Sequence, residues 1–148
     1  MLKRNIVKKI KPVFRRYTRI CVIQLLYAWQ ISHNKITKVD IEFLMLLNKR
    51  KIDIMYFNEL YCGAIICLEK LDQIISSYVH RSYKSIGYVE RSILCLAVFE
   101  LLYQKNVPYR VIINEAIELS KMFGSQRSYK FTNKVLDKIG EKIRPNKQ

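Results

Sequence analysis

Residues 106–138 read NVPYRVIINEAIELSKMFGSQRSYKFTNKVLDK, two helix-length segments divided by Phe123-Gly124-Ser125. Pro108 suits the first turn of a helix, and Gly124 suits the left-handed residue that ends one. Ser125 then offers a side-chain oxygen to the start of the next helix. The first segment carries an apolar stripe of helical period at Val111, Ile112, Ala116, Leu119 and Phe123. The second places Arg127, Lys130, Lys134 and Lys138 largely on one side. One helix is therefore built for a core, and the next for a core plus an anion.

Working outward, 148 residues of 50% hydrophobic composition suffice for one domain with a real core. The formal net charge of +15 is unevenly placed. Residues 1–38 hold ten Lys and Arg and no acid, residues 39–120 nine basic and ten acidic, and residues 121–148 eight basic and two acidic. A general lysine bias would have raised the middle as well. Excess at both ends is what a localised polyanion site produces if the ends meet in space.

Cys21, Cys62, Cys67 and Cys95 fall in apolar segments without a Cys-x-x-Cys pair, and only His33 and His80 could join them. Buried free thiols, not a zinc site or disulfides, are expected, with no cofactor. The basic start MLKRNIVKKIKPVF lacks the apolar stretch of a secretory signal. Gln24, Glu69 and Glu100 interrupt every candidate membrane span. A cytoplasmic protein is expected.

Along the chain, residues 1–12 read as a flexible basic arm and 13–148 as a single all-helical domain. The first helix is expected at about Val13–Ser32, with Arg15, Arg16 and Arg19 crowding its first turns, where the helix dipole opposes cations. That cluster points to a bound anion. A second helix is expected at about Val39–Asn48, and a long third one from a cap at Asp53 to about Tyr78, with Gly63 permitting close packing. A short turn around Arg81–Ser85, a helix at about Tyr88–Gln104 and the two segments quoted first complete about seven. With neither sustained two-residue alternation nor an internal repeat, the fold class is all-α.

The sequence offers little chemistry. Its four glycines stand apart, so it has no phosphate-cradling loop, and no nucleophile elbow stands out. Asn114-Glu115, inside an apolar run, reads as a core hydrogen-bond network more readily than as catalysis. What remains is basic residues beside rings. Arg15, Arg16 and Arg19 with Tyr27, and Arg127 and Lys130 with Phe131, combine phosphate contacts with faces on which unpaired bases stack; Tyr78 and Tyr83 add to them.

Several motifs also resemble a known family. They are Arg15-Arg16, Gln24-Leu25-Leu26-Tyr27-Ala28-Trp29-Gln30, Tyr56-Phe57 with Leu60, Val107-Pro108-Tyr109, Ile113-Asn114-Glu115-Ala116-Ile117-Glu118-Leu119, Lys130-Phe131-Thr132-Asn133, Val135-Leu136-Asp137-Lys138 and Ile143-Arg144-Pro145-Asn146-Lys147. Together, over about Arg15 to Lys147, they closely resemble the NusB family of bacterial transcription antitermination factors. The resemblance implies two packed three-helix bundles and no catalytic activity. It further implies binding of boxA-type single-stranded RNA in ribosomal RNA leader transcripts together with the ribosomal protein NusE, in the RNA polymerase antitermination complex that reads through terminators.

By that resemblance, Arg15, Arg16 and Arg19 match the family's Arg-rich start, Tyr27 and Tyr78 its RNA-facing tyrosines, and Lys130 and Phe131 its RNA-side segment. Glu90 falls on a glutamate of the NusE-binding side. Tyr17 replaces an arginine of the usual run, Lys84 and Arg127 stand where familiar members carry acids, and about nine residues precede the match. Added cations strengthen phosphate attraction whatever the bases, so these departures bear on selectivity. Two alternatives stay open: a helix-turn-helix DNA binder built on the Gly124 turn, and a domain related to the N-terminal part of ribosomal RNA cytosine methyltransferases, for whose catalytic part the chain leaves no space.

Overall fold

The computed structural model describes residues 2–32, 42, 52–80, 85–123 and 128–147. They form six α-helices: α1 (Leu2–Ser32), α2 (Ile54–Ile66), α3 (Leu68–Ser77), α4 (Tyr88–Tyr103), α5 (Tyr109–Phe123) and α6 (Ser128–Ile143). Among the described residues there is no strand. The helix expected at 39–48, the Gly124-Ser125 break and most of the turn at 81–85 lie outside the described residues.

Two boundaries differ from expectation. Helix α1 begins at Leu2, ahead of the start at about Val13 that Pro12 suggested. Leu2, Ile6 and Ile10 fall four apart among lysines, which are good helix formers, and a proline removes one N–H bond without forbidding the turns around it. The arginine cluster therefore sits in mid-helix, and the helix dipole does not act on it. The long third helix is two helices. Cys67 departs from helical geometry (φ −94°, ψ 6°) while Cys67 N–H still bonds the Gly63 carbonyl at 3.0 Å and Leu71 N–H the Cys67 carbonyl at 2.9 Å. Backbone bonding thus carries across a one-residue break that neither Gly nor Pro announces.

The chain divides into two compact units, Met1–Tyr61 and Cys62–Gln148, with the boundary inside α2. In the first unit α1 buries Cys21, Val22, Leu25 and Leu26, while the start of α2 buries Tyr56, Phe57 and Leu60. Asp53 caps α2 as expected: its Oδ1 accepts the Tyr56 N–H at 3.1 Å. The Asp53 N–H in turn donates to Thr18 Oγ1 at 2.9 Å, and the Thr18 hydroxyl donates to the Phe14 carbonyl at 2.6 Å. This chain of bonds fixes where α2 starts against α1.

In the second unit α4 is the central helix, buried continuously from Ser92 to Leu101. It packs against α3, α5 and α6, and α5 packs against α6. Ile112, Ala116 and Leu119 of α5 are buried as read, but Val111 and Phe123 at the ends of the expected stripe are exposed, and Tyr109, Ile113 and Ser120 complete the buried face instead. Glycine permits two close approaches: a Cβ on Gly63 would run into the Phe99 ring, and one on Gly140 into the Tyr109 ring. Arg144, only 8% exposed, closes the C-terminal end of α4. Its guanidinium donates to the carbonyls of Leu101 (3.0 Å), Val107 (2.6 Å), Glu100 (3.2 Å) and Gln104 (2.9 Å). Desolvation lowers its pKa while the nearby Glu100 opposes that.

Candidate nucleic-acid interface

In the first unit the exposed stripe of α1 runs through Val13, Arg16, Gln24, Tyr27 and Ile31. Arg16 and Tyr27 are eleven residues apart, about three turns, so they share one side roughly 16 Å from each other. Tyr27 is 40% exposed. An exposed guanidinium and an exposed ring thus stand on one face.

Arg15 and Arg19 are placed differently. Arg15 is half-buried with its guanidinium carbon 4.3 Å from the Tyr56 ring centroid. Arg19, at 3% exposure, lies 5.4 Å from the same centroid and donates from Nη2 to the Tyr56 hydroxyl at 3.0 Å. Nothing in the sequence pairs Tyr56 with these arginines, because the contact joins residues far apart in the chain.

In the second unit Tyr78, Val79, His80, Phe131, Lys134, Val135 and Lys138 line a groove of about 260 Å³. Tyr78 ends α3 in a tightened turn, its N–H bonding the Ile75 carbonyl at 3.0 Å. Phe131, Lys134, Val135 and Lys138 follow the i, i+3, i+4, i+7 spacing of one helix face. Tyr78 and Phe131, singled out separately from the sequence, therefore share one apolar slot, with the exposed lysines Lys134 and Lys138 beside it. Lys130 is exposed one turn before Lys134. The four-residue lysine spacing was visible in sequence, whereas Val79 and His80 carried no such signal. Arg127, Lys84 and Tyr83 lie outside the described residues.

Glu90 is half-buried in the first turn of α4 and folds back over Gly87, where a Cβ would meet its carboxylate. A negative charge there complements the helix dipole. Asn114 is exposed and Glu115 half-buried, so the pair lies at the edge of the core. The cysteines are free, but only Cys21 and Cys95 are buried, whereas Cys62 is exposed, correcting the expectation of four buried thiols. Among the described residues no group of His, Cys, Asp and Glu could hold a metal ion, and no helix is long and apolar enough to cross a membrane.

The NusB family profile matches residues 16–141. The chain is 45% identical over 139 residues to the transcription antitermination protein NusB of Sodalis glossinidius, covering 94% of this chain and 100% of that protein. It is 47% identical over 139 residues to that of Buchnera aphidicola (strain APS), covering 94% and 97%. Among solved structures, NusB of T. maritima aligns with a TM-score of 0.79 at 29% identity, over 90% of this chain and 95% of that one. A structure of the antitermination factors NusB and NusE in complex with double-stranded RNA aligns with a TM-score of 0.77 at 25% identity, over 87% and 97%.

Proposed function

Because this chain belongs to the NusB family, we propose that it is an RNA-binding transcription antitermination factor. It binds boxA-type RNA in ribosomal RNA leader transcripts together with the ribosomal protein NusE and promotes read-through by RNA polymerase. It is a regulatory binding protein, not an enzyme, and works in the cytoplasm.

The observation that carries the RNA part of this reading is the slot between Tyr78 and Phe131. An unpaired base offers a flat apolar face of the kind two rings accept, and its flanking phosphates fall to the neighbouring lysines. Bases inside a duplex are stacked on one another and do not enter such a slot. We assign RNA contact to Arg16, Tyr27, Tyr78, Lys130 and Phe131, with Arg15, Arg19 and Arg127 adding positive charge, and NusE contact to Glu90. Residues 1–12 supply a basic extension and 13–148 the NusB-like domain.

The solved complex with double-stranded RNA favours a second reading, in which shape and phosphates of a duplex suffice. Anisotropy titrations of boxA-type single-stranded RNA, a scrambled strand and a duplex, with and without NusE, separate the two. Tightest binding of the boxA strand, strengthened by NusE, is expected. Equal affinity for scrambled RNA with NusE present overturns the boxA assignment, and preference for the duplex favours the second reading.

A further inference from the structure

The geometry points to Tyr56 as a positioning residue for Arg15 and Arg19, the two cations of α1 that back the RNA-contacting Arg16, an inference that rests on the RNA-binding reading above. Two cations share this one ring. Arg15 lies over its face at 4.3 Å, and Arg19 at 5.4 Å also donates to its hydroxyl at 3.0 Å. Those distances hold the two guanidinium groups within about 10 Å of each other, the scale of the Debye length at physiological salt, so their mutual repulsion is not screened away.

The ring itself is held by the backbone. Asp53 accepts the Tyr56 N–H and donates its own N–H to Thr18, which lies on α1 beside Arg19. Tyr56 is 3% exposed, so it touches no RNA itself. Its π face attracts Arg15, and its hydroxyl oxygen takes the Arg19 N–H, which keeps Arg19 inward as a fixed positive charge beneath the α1 surface. Arg15 Nε is buried and makes no hydrogen bond among the described residues. The two cations therefore form a fixed positive field under the α1 surface, and the phosphate of a bound strand held by Arg16 is the anion that offsets their repulsion.

The separation of roles is tested with Tyr56→Phe, which keeps the ring and Arg15 stacking but removes the acceptor that holds Arg19. Binding of labelled boxA-type single-stranded RNA is measured from low to high salt for the wild type, Tyr56→Phe, Arg19→Gln, the double variant and, as control, Arg16→Ala. Each carries a matched thermal melt. Tyr56→Phe should weaken binding by up to roughly tenfold, because releasing Arg19 cannot cost more than the one ordinary hydrogen bond that held it. Its salt slope should change by less than the ~0.7 expected when a phosphate-contacting cation is deleted, because every charge remains. In the Arg19→Gln background the same substitution should cost less than about twofold. A folded Tyr56→Phe that binds like the wild type overturns the inference, as does an equal loss in both backgrounds. In either case the RNA-binding reading stands if Arg16→Ala weakens binding. If the wild type fails to bind RNA, both fall.

Discussion

Replacing Phe131 by Leu and, separately, Lys134 by Ala should affect RNA binding in two distinguishable ways. Both residues line the same groove, but Phe131 contributes a half-buried ring and Lys134 an exposed charge. On the proposed RNA-binding reading, the exposed cations Arg16, Lys130, Lys134 and Lys138 each neutralise one phosphate of the strand. At about −0.7 per neutralised phosphate on a single strand, they give a log–log salt slope of about −2.8, so raising salt fourfold weakens the wild type roughly 50-fold. Lys134→Ala should flatten the slope to about −2.1, leaving a loss of roughly 18-fold, and should weaken boxA-type and scrambled strands alike. Phe131→Leu should leave the slope near −2.8 while removing a stacking contribution of about 1–3 kcal/mol, roughly five- to 150-fold in affinity. Fluorescence anisotropy at four salt concentrations reads both quantities. Leucine keeps the groove apolar, so a normal melt with lost affinity isolates the ring. The reasoning is refuted if folded Phe131→Leu binds as before, or if Lys134→Ala leaves the slope unchanged.

Three further outcomes are expected. Glu90→Lys should weaken pairing with NusE, and because Glu90 also faces the positive end of α4 it should cost about 0.3–1 kcal/mol of stability; a melt and a pull-down at low salt separate the two, and unchanged pairing counts against the partner assignment. Arg144→Ala strips hydrogen-bond partners from four carbonyls, three of them at the end of α4, and should cost at least about 3 kcal/mol, a fall in Tm of roughly 10 °C by calorimetry, with a shift under 2 °C refuting the capping role. Burial pushes the Cys21 thiol up to about 11 from 9.0, so alkylation at neutral pH should mark exposed Cys62 well before Cys21 by mass spectrometry. The same shift has a sign for stability: below about pH 9 the thiol is protonated in both states, and between about 9 and 11 only the unfolded chain ionises, so stability should fall as pH rises through that window.

Reading the sequence reached those features whose cause is local. The buried Ile112, Ala116 and Leu119 of α5, the exposed Lys130, Lys134 and Lys138 of α6, the cap at Asp53 and the close approach at Gly63 follow from spacing and from single residue types, and each is present. Tyr78 and Phe131 were found separately, as rings near charge, but their shared groove depends on how α3 ends against α6, which no local pattern encodes. Pro12 misled for the opposite reason: a strong local signal was outweighed by the helix formers on either side.

The arginine run shows where composition stops being informative. Arg15, Arg16 and Arg19 look equivalent in sequence, and counting charge treats them alike. Helical geometry separates them, because positions 15 and 19 lie four apart on one side and position 16 is turned about 100° away from 15. Only the exposed one, Arg16, shares its side with Tyr27, while the other two meet Tyr56. Substituting any of the three removes one positive charge, so equal losses of affinity across Arg15→Ala, Arg16→Ala and Arg19→Ala would mean that the field of the cluster alone matters. Unequal losses, with Arg19→Ala also lowering the melting temperature, would mean that the helix has divided one run of cations into a surface that binds and a support that holds it in place.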